Sequence, residues 1–258
     1  MQIRFLGCHH TETSNTRLSS LLVDKELVID AGAITSTLTA EEQSQIKAVL
    51  LTHQHLDHVR DVPTLALNGR DSGNTLPVFA TPETLRSVKD HLLNSSIYPD
   101  FTQIPSAEEP RIQLVPLEPQ EEREVCGYLV TPVPMIHCEG SVGYLVKSPS
   151  GERFFHSGDT NGEGLADIFQ KLKPDLVVVE VTFPDSQEPL ARLTNHLTPQ
   201  LLGTEITKAL NSDGEAPRFF VTHMNTLLEA EIQAELHILS KKLQIPITLA
   251  YEGLTLKV

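Results

Sequence analysis

The amino-acid sequence predicts a mixed α/β fold, and two observations carry the prediction. Short apolar runs of strand length alternate with stretches of helical periodicity along all 258 residues. Neither a low-complexity linker nor a repeat of fixed period interrupts that alternation. A chain of this length removes roughly three quarters of its unfolded surface from water, enough for one large core, so residues 1–258 are expected to form a single domain.

Strands are expected over 2–6, 18–23, 27–30, 48–52, 77–80, 111–116, 125–133, 142–147, 152–156, 175–179, 218–222 and 247–249. The first, Gln2-Ile3-Arg4-Phe5-Leu6, stops at a glycine turn, Gly7. Asp24-Lys25 reads as the hairpin turn between 18–23 and 27–30, and Pro149-Ser150-Gly151 as the turn between 142–147 and 152–156. Helices are expected over 59–68, 82–93, 163–172, 198–210 and 226–241. The first of these runs into a loop containing Asn74. The fourth has Asn195 or Thr198 available as a cap and Pro199 at its start. The last carries Leu228, Ile232, Leu236 and Leu239 as its apolar stripe, with Glu229, Glu231 and Glu235 outside it. The acidic run Glu118 to Glu124 reads as a solvated loop. Segment 92–109, with Pro99 and Pro105, reads as loop and leaves open a role as a lid.

The densest chemistry lies in Thr52-His53-Gln54-His55-Leu56-Asp57-His58, directly after the apolar run Ala48-Val49-Leu50-Leu51. Three imidazoles and a carboxylate this close together suit zinc and similar first-row divalent ions. Magnesium and calcium prefer all-oxygen sites, and iron–sulfur clusters need thiolates. If a buried strand ends near Thr52 and the chain then turns, His53 and His55, two apart, point into one site. Asp57 and His58 follow at the turn into the helix at 59–68 and are placed to serve a second ion. Two ions need more ligands than these four residues supply, so the rest of the chain must deliver the remainder.

At these residues the chain resembles the metallo-β-lactamase superfamily, whose motif of two histidines, an aspartate and a histidine is matched by His53, His55, Asp57 and His58. The resemblance implies three later ligands, and the chain offers them in the family's order: His137 in Pro134-Met135-Ile136-His137, Asp159 in His156-Ser157-Gly158-Asp159-Thr160, and His223 in Phe219-Phe220-Val221-Thr222-His223. Each follows an apolar run, over 129–133, 153–155 and 218–221, so all would project from one sheet edge, where α/β proteins place ligands. By this resemblance His53, His55 and His137 hold one metal, Asp57, His58 and His223 a second, and Asp159 bridges. It also implies a four-layer αββα sandwich with the dinuclear site at one edge of the two sheets; the sequence pattern alone gives only α/β. Zinc is expected, and manganese or iron suits the same donors. Two cations sharing a solvent molecule lower its pKa toward neutrality, so hydrolysis by a bridging hydroxide is the implied reaction. Asp57 would also orient that hydroxide or accept its proton. Ligating imidazoles need an acceptor to fix their tautomer, and the sequence does not identify one.

Val179-Glu180-Val181-Thr182-Phe183 and Asn195-His196-Leu197-Thr198-Pro199 look like segments of the phosphodiesterase branch of the superfamily, the ribonuclease Z and class II cyclic-nucleotide phosphodiesterase families. By that resemblance His196 reaches the scissile phosphate and protonates or stabilises the leaving oxygen, and Glu180 supports it. Ribonuclease Z carries a long arm that grips transfer RNA between the positions matching His137 and Asp159. Here 21 residues lie between them, all accounted for by a hairpin. The run from His53 through Val59 matches the start of the class II pattern, which is then broken at Asp61, where that family has glycine or serine, and at Pro63 and Thr64. The opening, from Leu6 through Ser20, is similar to the same branch. His9 and His10 within it are expected either at the surface, as adjacent loop histidines more often are, or against substrate.

A net charge of −14 repels polyanions, and no Lys/Arg stripe with interleaved aromatics offsets it, so large nucleic acid is not an expected partner. The sequence has no run of eighteen apolar residues and no charged-then-apolar leader, and a cytoplasmic protein without membrane contact is expected. A homodimer is left open. Cys8, Cys126 and Cys138, odd in number and widely spaced, fit reduced thiols. Cys138 adjoins His137 and could be near the metals, but with no second thiolate at ligand spacing it reads rather as a buried small residue or a bystander. The expectation is an enzyme, a dinuclear metal-dependent phosphodiesterase acting on a small phosphodiester, foremost a 3′,5′-cyclic nucleotide. The alternatives are ribonuclease Z-like RNA hydrolysis, hydrolysis of a lactone, thioester or β-lactam on the same fold, and a non-catalytic metal-binding or partner-binding domain, against which the intact seven-ligand set counts.

Overall fold

Strands apolar on both faces must be covered on both faces, and this condition sets the layers of the molecule. The computed structural model describes residues 1–69, 75–210 and 217–258; the loop containing Asn74 lies outside them. One sheet is built from Gln2–Gly7 (β1), Ser20–Val23 (β2), Leu27–Ile29 (β3), Ala48–Leu50 (β4), Leu76–Ala80 (β5), Ile112–Pro116 (β6) and Thr255–Lys257 (β14), in the order β14-β1-β2-β3-β4-β5-β6. The other is built from Arg123–Val125 (β7), Tyr128–Pro134 (β8), Val142–Lys147 (β9), Arg153–His156 (β10), Leu176–Glu180 (β11), Arg218–Thr222 (β12) and Ile247–Leu249 (β13), in the order β13-β12-β11-β10-β9-β8-β7. The two sheets share a plan. Antiparallel pairings join β14 through β3 and β7 through β10, and parallel pairings join β3 through β6 and β10 through β13.

Alternation along the central strands divides the core. In β3 and β4, Leu27, Ile29, Ala48 and Leu50 face the space between the sheets, where they meet Val130, Tyr144, Phe154 and Val178. Val28 and Val49 face outward into a second cluster with residues of Ile34–Thr37 (α1), Leu56–Val59 (α3), Val62–Asn68 (α4) and Pro82–Ser87 (α5). Ala40–Gln43 (α2), closed by a Thr39–Glu42 capping box, lies beside them. The far face of the second sheet is covered by Leu165–Leu172 (α6), Pro199–Leu210 (α8) and Glu229–Leu243 (α9), which contribute Phe169, Leu202, Ile206, Ile232 and Leu236. The arrangement is the αββα sandwich that the resemblance implies.

Several expected boundaries shift for local reasons. The helix expected over 59–68 is two, because Pro63 has no N–H to give to the carbonyl four residues back and instead stands in the first turn of a new helix, α4. The strand expected over 125–133 is a hairpin, with Cys126 at φ 52° and Gly127 at φ 82° making a two-residue turn between β7 and β8. The helix expected over 82–93 ends as α-helix at Ser87 and continues as a π-helical turn, Val88–Leu92. The short α1, α2, Glu188–Leu193 (α7) and β14 were not expected. Both predicted hairpin turns are present, with Asp24 and Lys25 at φ 43° and 69°. The stripe of α9 buries Ile232 and Leu236 as expected. Among the described residues no helix is long and apolar enough to cross a membrane.

Two contacts tie the sheets together where β4 ends. Tyr144 in β9, fully buried, donates its hydroxyl to Leu51 O at 2.8 Å, and Val142 N–H donates to Thr52 O at 3.0 Å. Tyr144→Phe, which keeps the ring and strands the carbonyl, is expected to destabilise the fold by about 1 kcal/mol. Urea denaturation should register this as a lower midpoint at unchanged slope.

Candidate active site

Six strands of the two sheets end at one rim, and each delivers a polar residue there. Asp30 follows β3; His53 and His55 follow β4; His137 follows β8; Asp159 follows β10; Glu180 ends β11; and His223 follows β12. His196 comes from the loop between α7 and α8. Asp57 and His58 were expected at the turn into a helix. They lie inside α3, which starts one residue earlier, at Leu56, with His55 extended as its cap position. Three rim residues hold a left-handed backbone, Asp30 at φ 61°, Asn195 at 56° and His223 at 63°. These are the residue types that tolerate that region best after glycine. Gly158, at φ +57°, lets the chain pass Thr52, since a Cβ there would sit 2.9 Å from Thr52 Cβ.

Beneath the rim, two buried carboxylates orient the imidazoles. Asp30 accepts from Thr52 N–H at 2.8 Å, from the Thr52 hydroxyl at 2.9 Å and from His58 Nδ1 at 2.8 Å, and His156 Nε2 lies 3.6 Å away. With its hydroxyl hydrogen given to Asp30, Thr52 accepts from His53 Nδ1 at 3.1 Å. The second sheet repeats the device. Glu180 accepts from the Thr182 hydroxyl at 2.8 Å and from His196 Nδ1 at 2.8 Å, and Thr182 accepts from His223 Nδ1 at 2.8 Å. Asn195 O is 3.2 Å from His137 Nδ1. The tautomers follow from these bonds, and they are the acceptors the sequence did not identify. Asp30 had a signal, a carboxylate closing the apolar run Leu27-Val28-Ile29. The two threonines had none beyond their place at strand ends.

With Nδ1 occupied, the Nε2 atoms of four histidines are turned toward Asp159. Its Oδ2 lies 3.3 Å from His223 Nε2, 3.4 Å from His58 Nε2, 3.6 Å from His53 Nε2 and 3.7 Å from His137 Nε2. His55 Nδ1 is 3.0 Å from His137 Nε2, and Asp57 Oδ2 is 3.1 Å from His223 Nε2. All seven predicted ligands are therefore brought together. Donor atoms within 4.8 Å of one another form groups that could hold a cation, among them His53, His55 and His137 with Cys138; His53, His58 and Asp159; and Asp57, His58 and His223. Cys138, read as a buried small residue or a bystander, is half-buried and belongs to the first. The residues fit a divalent metal on independent grounds: His53 Nε2 is fully buried and has no hydrogen-bond partner among the described residues, an orphan that a cation would satisfy. Burial, reinforced by His58, pushes the His53 imidazole well below the ordinary histidine range, toward its neutral, ligating form. Burial opposes ionisation of Asp57, but His58 and His223 outweigh it and hold the carboxyl well below the usual range.

His196 stands beside this cluster, its ring 4.7 Å from that of His137 and 5.4 Å from that of His223. Burial alone would lower its pKa; Glu180 reverses this and raises it to about 9. His196, Asp57, Asp159 and His223 line a cleft of about 390 Å³ together with His10, Leu18 and Leu56. None of its described lining residues comes from 92–109. Of the two adjacent loop histidines, only His10 reaches the cleft. His9 is buried, with Nδ1 2.8 Å from Glu252 Oε1. A larger hollow of about 860 Å³ opens at the opposite, N-terminal ends of β3 to β6, between Lys47, Asn68 and Arg111, away from the ligand cluster.

A family model described as the beta-lactamase superfamily domain matches residues 27–224. Ribonuclease J of Methanocaldococcus jannaschii is 31% identical over 86 residues, 33% of this chain and 17% of that protein. A metal-dependent hydrolase of Xanthobacter autotrophicus is 41% identical over 64 residues, 23% of this chain and 26% of that one. The chain thus spans about a quarter or less of the length of these curated relatives. The crystal structure of unliganded yeast PDE1 superposes with a TM-score of 0.80 at 18% identity, covering 100% of this chain and 99% of that one, a likeness of fold.

Asp30→Asn keeps the side-chain volume but removes the charge that orients His58 and, through Thr52, His53. Zinc affinity, measured by competition with a chromophoric chelator, is expected to fall about 10- to 100-fold while the circular dichroism spectrum is retained. Unchanged affinity would remove Asp30 from the site.

Proposed function

The chain belongs to the beta-lactamase superfamily, and from that premise we propose that it is a metal-dependent hydrolase of small phosphodiesters, with a 3′,5′-cyclic nucleotide as substrate. In this reading one divalent ion is held by His53, His55 and His137 and a second by Asp57, His58 and His223, with Asp159 between them. The imidazole-rich donor set favours zinc, with manganese or iron as substitutes. Ions at these positions supply Lewis acidity toward a phosphoryl oxygen and acidify a water molecule.

The observation that carries the phosphodiester reading is the Glu180–His196 pair. Departure of an alkoxide from phosphorus needs a proton, and His196 is positioned to give one. Its Nδ1–H is committed to Glu180, so Nε2 is the nitrogen left to the cleft, and the carboxylate keeps the ring protonated at neutral pH. Glu180 thereby fixes the ring and sustains its charge. Asp57, ionised and lining the cleft, accepts a hydrogen bond from the attacking water and orients it. Size and charge support the substrate class. A cleft of about 390 Å³ suits a small molecule, and a chain of net charge −14 tolerates a monoanion better than a polyanion.

Metal-stripped protein given zinc, manganese or iron should hydrolyse at least one of cyclic AMP, cyclic GMP and bis(p-nitrophenyl) phosphate; inactivity on all three with every metal sinks the reading. His196→Ala should lower kcat on the responsive phosphodiester about 10²- to 10⁴-fold with metal content unchanged. If that rate survives while an ester, thioester or lactone is cleaved faster, acyl hydrolysis replaces phosphodiester hydrolysis as the function.

A further inference from the structure

The sulfur of Cys138 is a metal-type donor that the proposed chemistry leaves unused. With the ligating nitrogens of His53, His55 and His137 it makes a group whose atoms all lie within 4.8 Å of one another. Its hydrogen bonds fix its position. Cys138 N–H donates to Ser141 Oγ at 3.1 Å, and the Ser141 hydroxyl and Sγ, 3.1 Å apart, share a second hydrogen bond. Gln54 Nε2 donates to the same sulfur at 3.3 Å. The Gln54 amide is held in that sense at both ends, with Glu139 O accepting from Nε2 at 3.3 Å and Thr84 donating to Oε1 at 3.3 Å. Burial raises the pKa of the free thiol, so these bonds fix the position of the sulfur and metal binding is what would deprotonate it.

A second, independent observation points to what lies beside it. His53 Nε2, fully buried and aimed into the same group, has no hydrogen-bond partner among the described residues. An unpartnered imidazole nitrogen and a sulfur within 4.8 Å of one another can share one cation. Asp57 stands with His58 and His223. The first position is therefore the one poorer in anionic donors.

We propose that Cys138 supplies a thiolate ligand to the metal ion held by His53, His55 and His137, an inference that rests on the reading that these histidines hold a metal. Ligation forms an S–metal bond and releases the thiol proton to solvent. The two metal positions then differ in character. A soft sulfur donor ties the first to zinc in preference to manganese, and the second, with Asp57 and two imidazoles, keeps no such bias.

The test uses the full chain, stripped and reloaded with zinc alone or cobalt(II) alone. X-ray absorption at the zinc edge should contain a sulfur scatterer at about 2.3 Å beside nitrogen and oxygen at about 2.0–2.2 Å, and the cobalt protein should show a sulfur-to-cobalt charge-transfer band. Cys138→Ser should lose both signals and bind zinc at the first position about tenfold or more weakly. Cys126→Ser should keep both. Zinc bound through nitrogen and oxygen only would overturn the sulfur ligand and leave the metal reading standing; failure to bind either ion would overturn both. The wild-type spectra decide the question even if Cys138→Ser does not fold.

Discussion

Burying a carboxylate costs several kcal/mol unless donors surround it, and the rim of this molecule is built on two that are surrounded. Asp30 takes the Thr52 amide, the Thr52 hydroxyl and His58. Glu180 takes Thr160 N–H at 3.0 Å, Leu197 N–H at 3.3 Å, Thr182 and His196. Each donor set includes imidazole nitrogens, directly or through a threonine, so satisfying the carboxylates and aiming the histidines are one event. The pKa of Asp30 reflects it: burial pushes the group up, yet His58 and His156 hold it well below the ordinary carboxylate range. Removing one partner from such a set costs about 3–5 kcal/mol, which makes the inner ring of the site as demanding as the hydrophobic core.

The two sheets supply this device once each. Asp30 and Thr52 end adjacent parallel strands of the first, while Glu180 and Thr182 end one strand of the second beside the strand that delivers His223. Closing the sandwich brings the two half-sites face to face, with Tyr144 and Val142 linking the sheets at the same rim. An acidic chain is poorly suited to attract an anion by its overall field. For the phosphodiester proposed as substrate, the attraction would come from positive charge inside the cleft, from His196 and the proposed cations.

Much of this was legible in the sequence, for identifiable reasons. His53, His55, Asp57 and His58 stand out because four donor side chains in six residues are dense, and His137, Asp159 and His223 because each closes an apolar run. The π-turn after Ser87 and the short helices leave no periodicity to read. The break at Pro63 and the turn at Cys126-Gly127 did carry a local signal, which a longer apolar pattern masked. His9 reads as surface because its partner, Glu252, lies 243 positions away. Cys138 reads as a bystander because a lone thiol has no spacing, and only the fold brings Gln54 and Ser141 to it.

The left-handed backbone at Asp30, Asn195 and His223 has a consequence for how such a site changes over generations. At these positions the backbone admits glycine, asparagine, aspartate and histidine far more readily than branched or bulky residues, and the last two are themselves metal-type donors. The conformational filter and the chemical one therefore overlap. A lineage abandoning the chemistry could replace Asp30 or His223 by glycine or asparagine, as position 195 already has asparagine, and keep the turns while the carboxylate and the imidazole vanish. Such descendants would still carry the turns, and their sequences would record a lost centre as small or amide residues at the same strand ends.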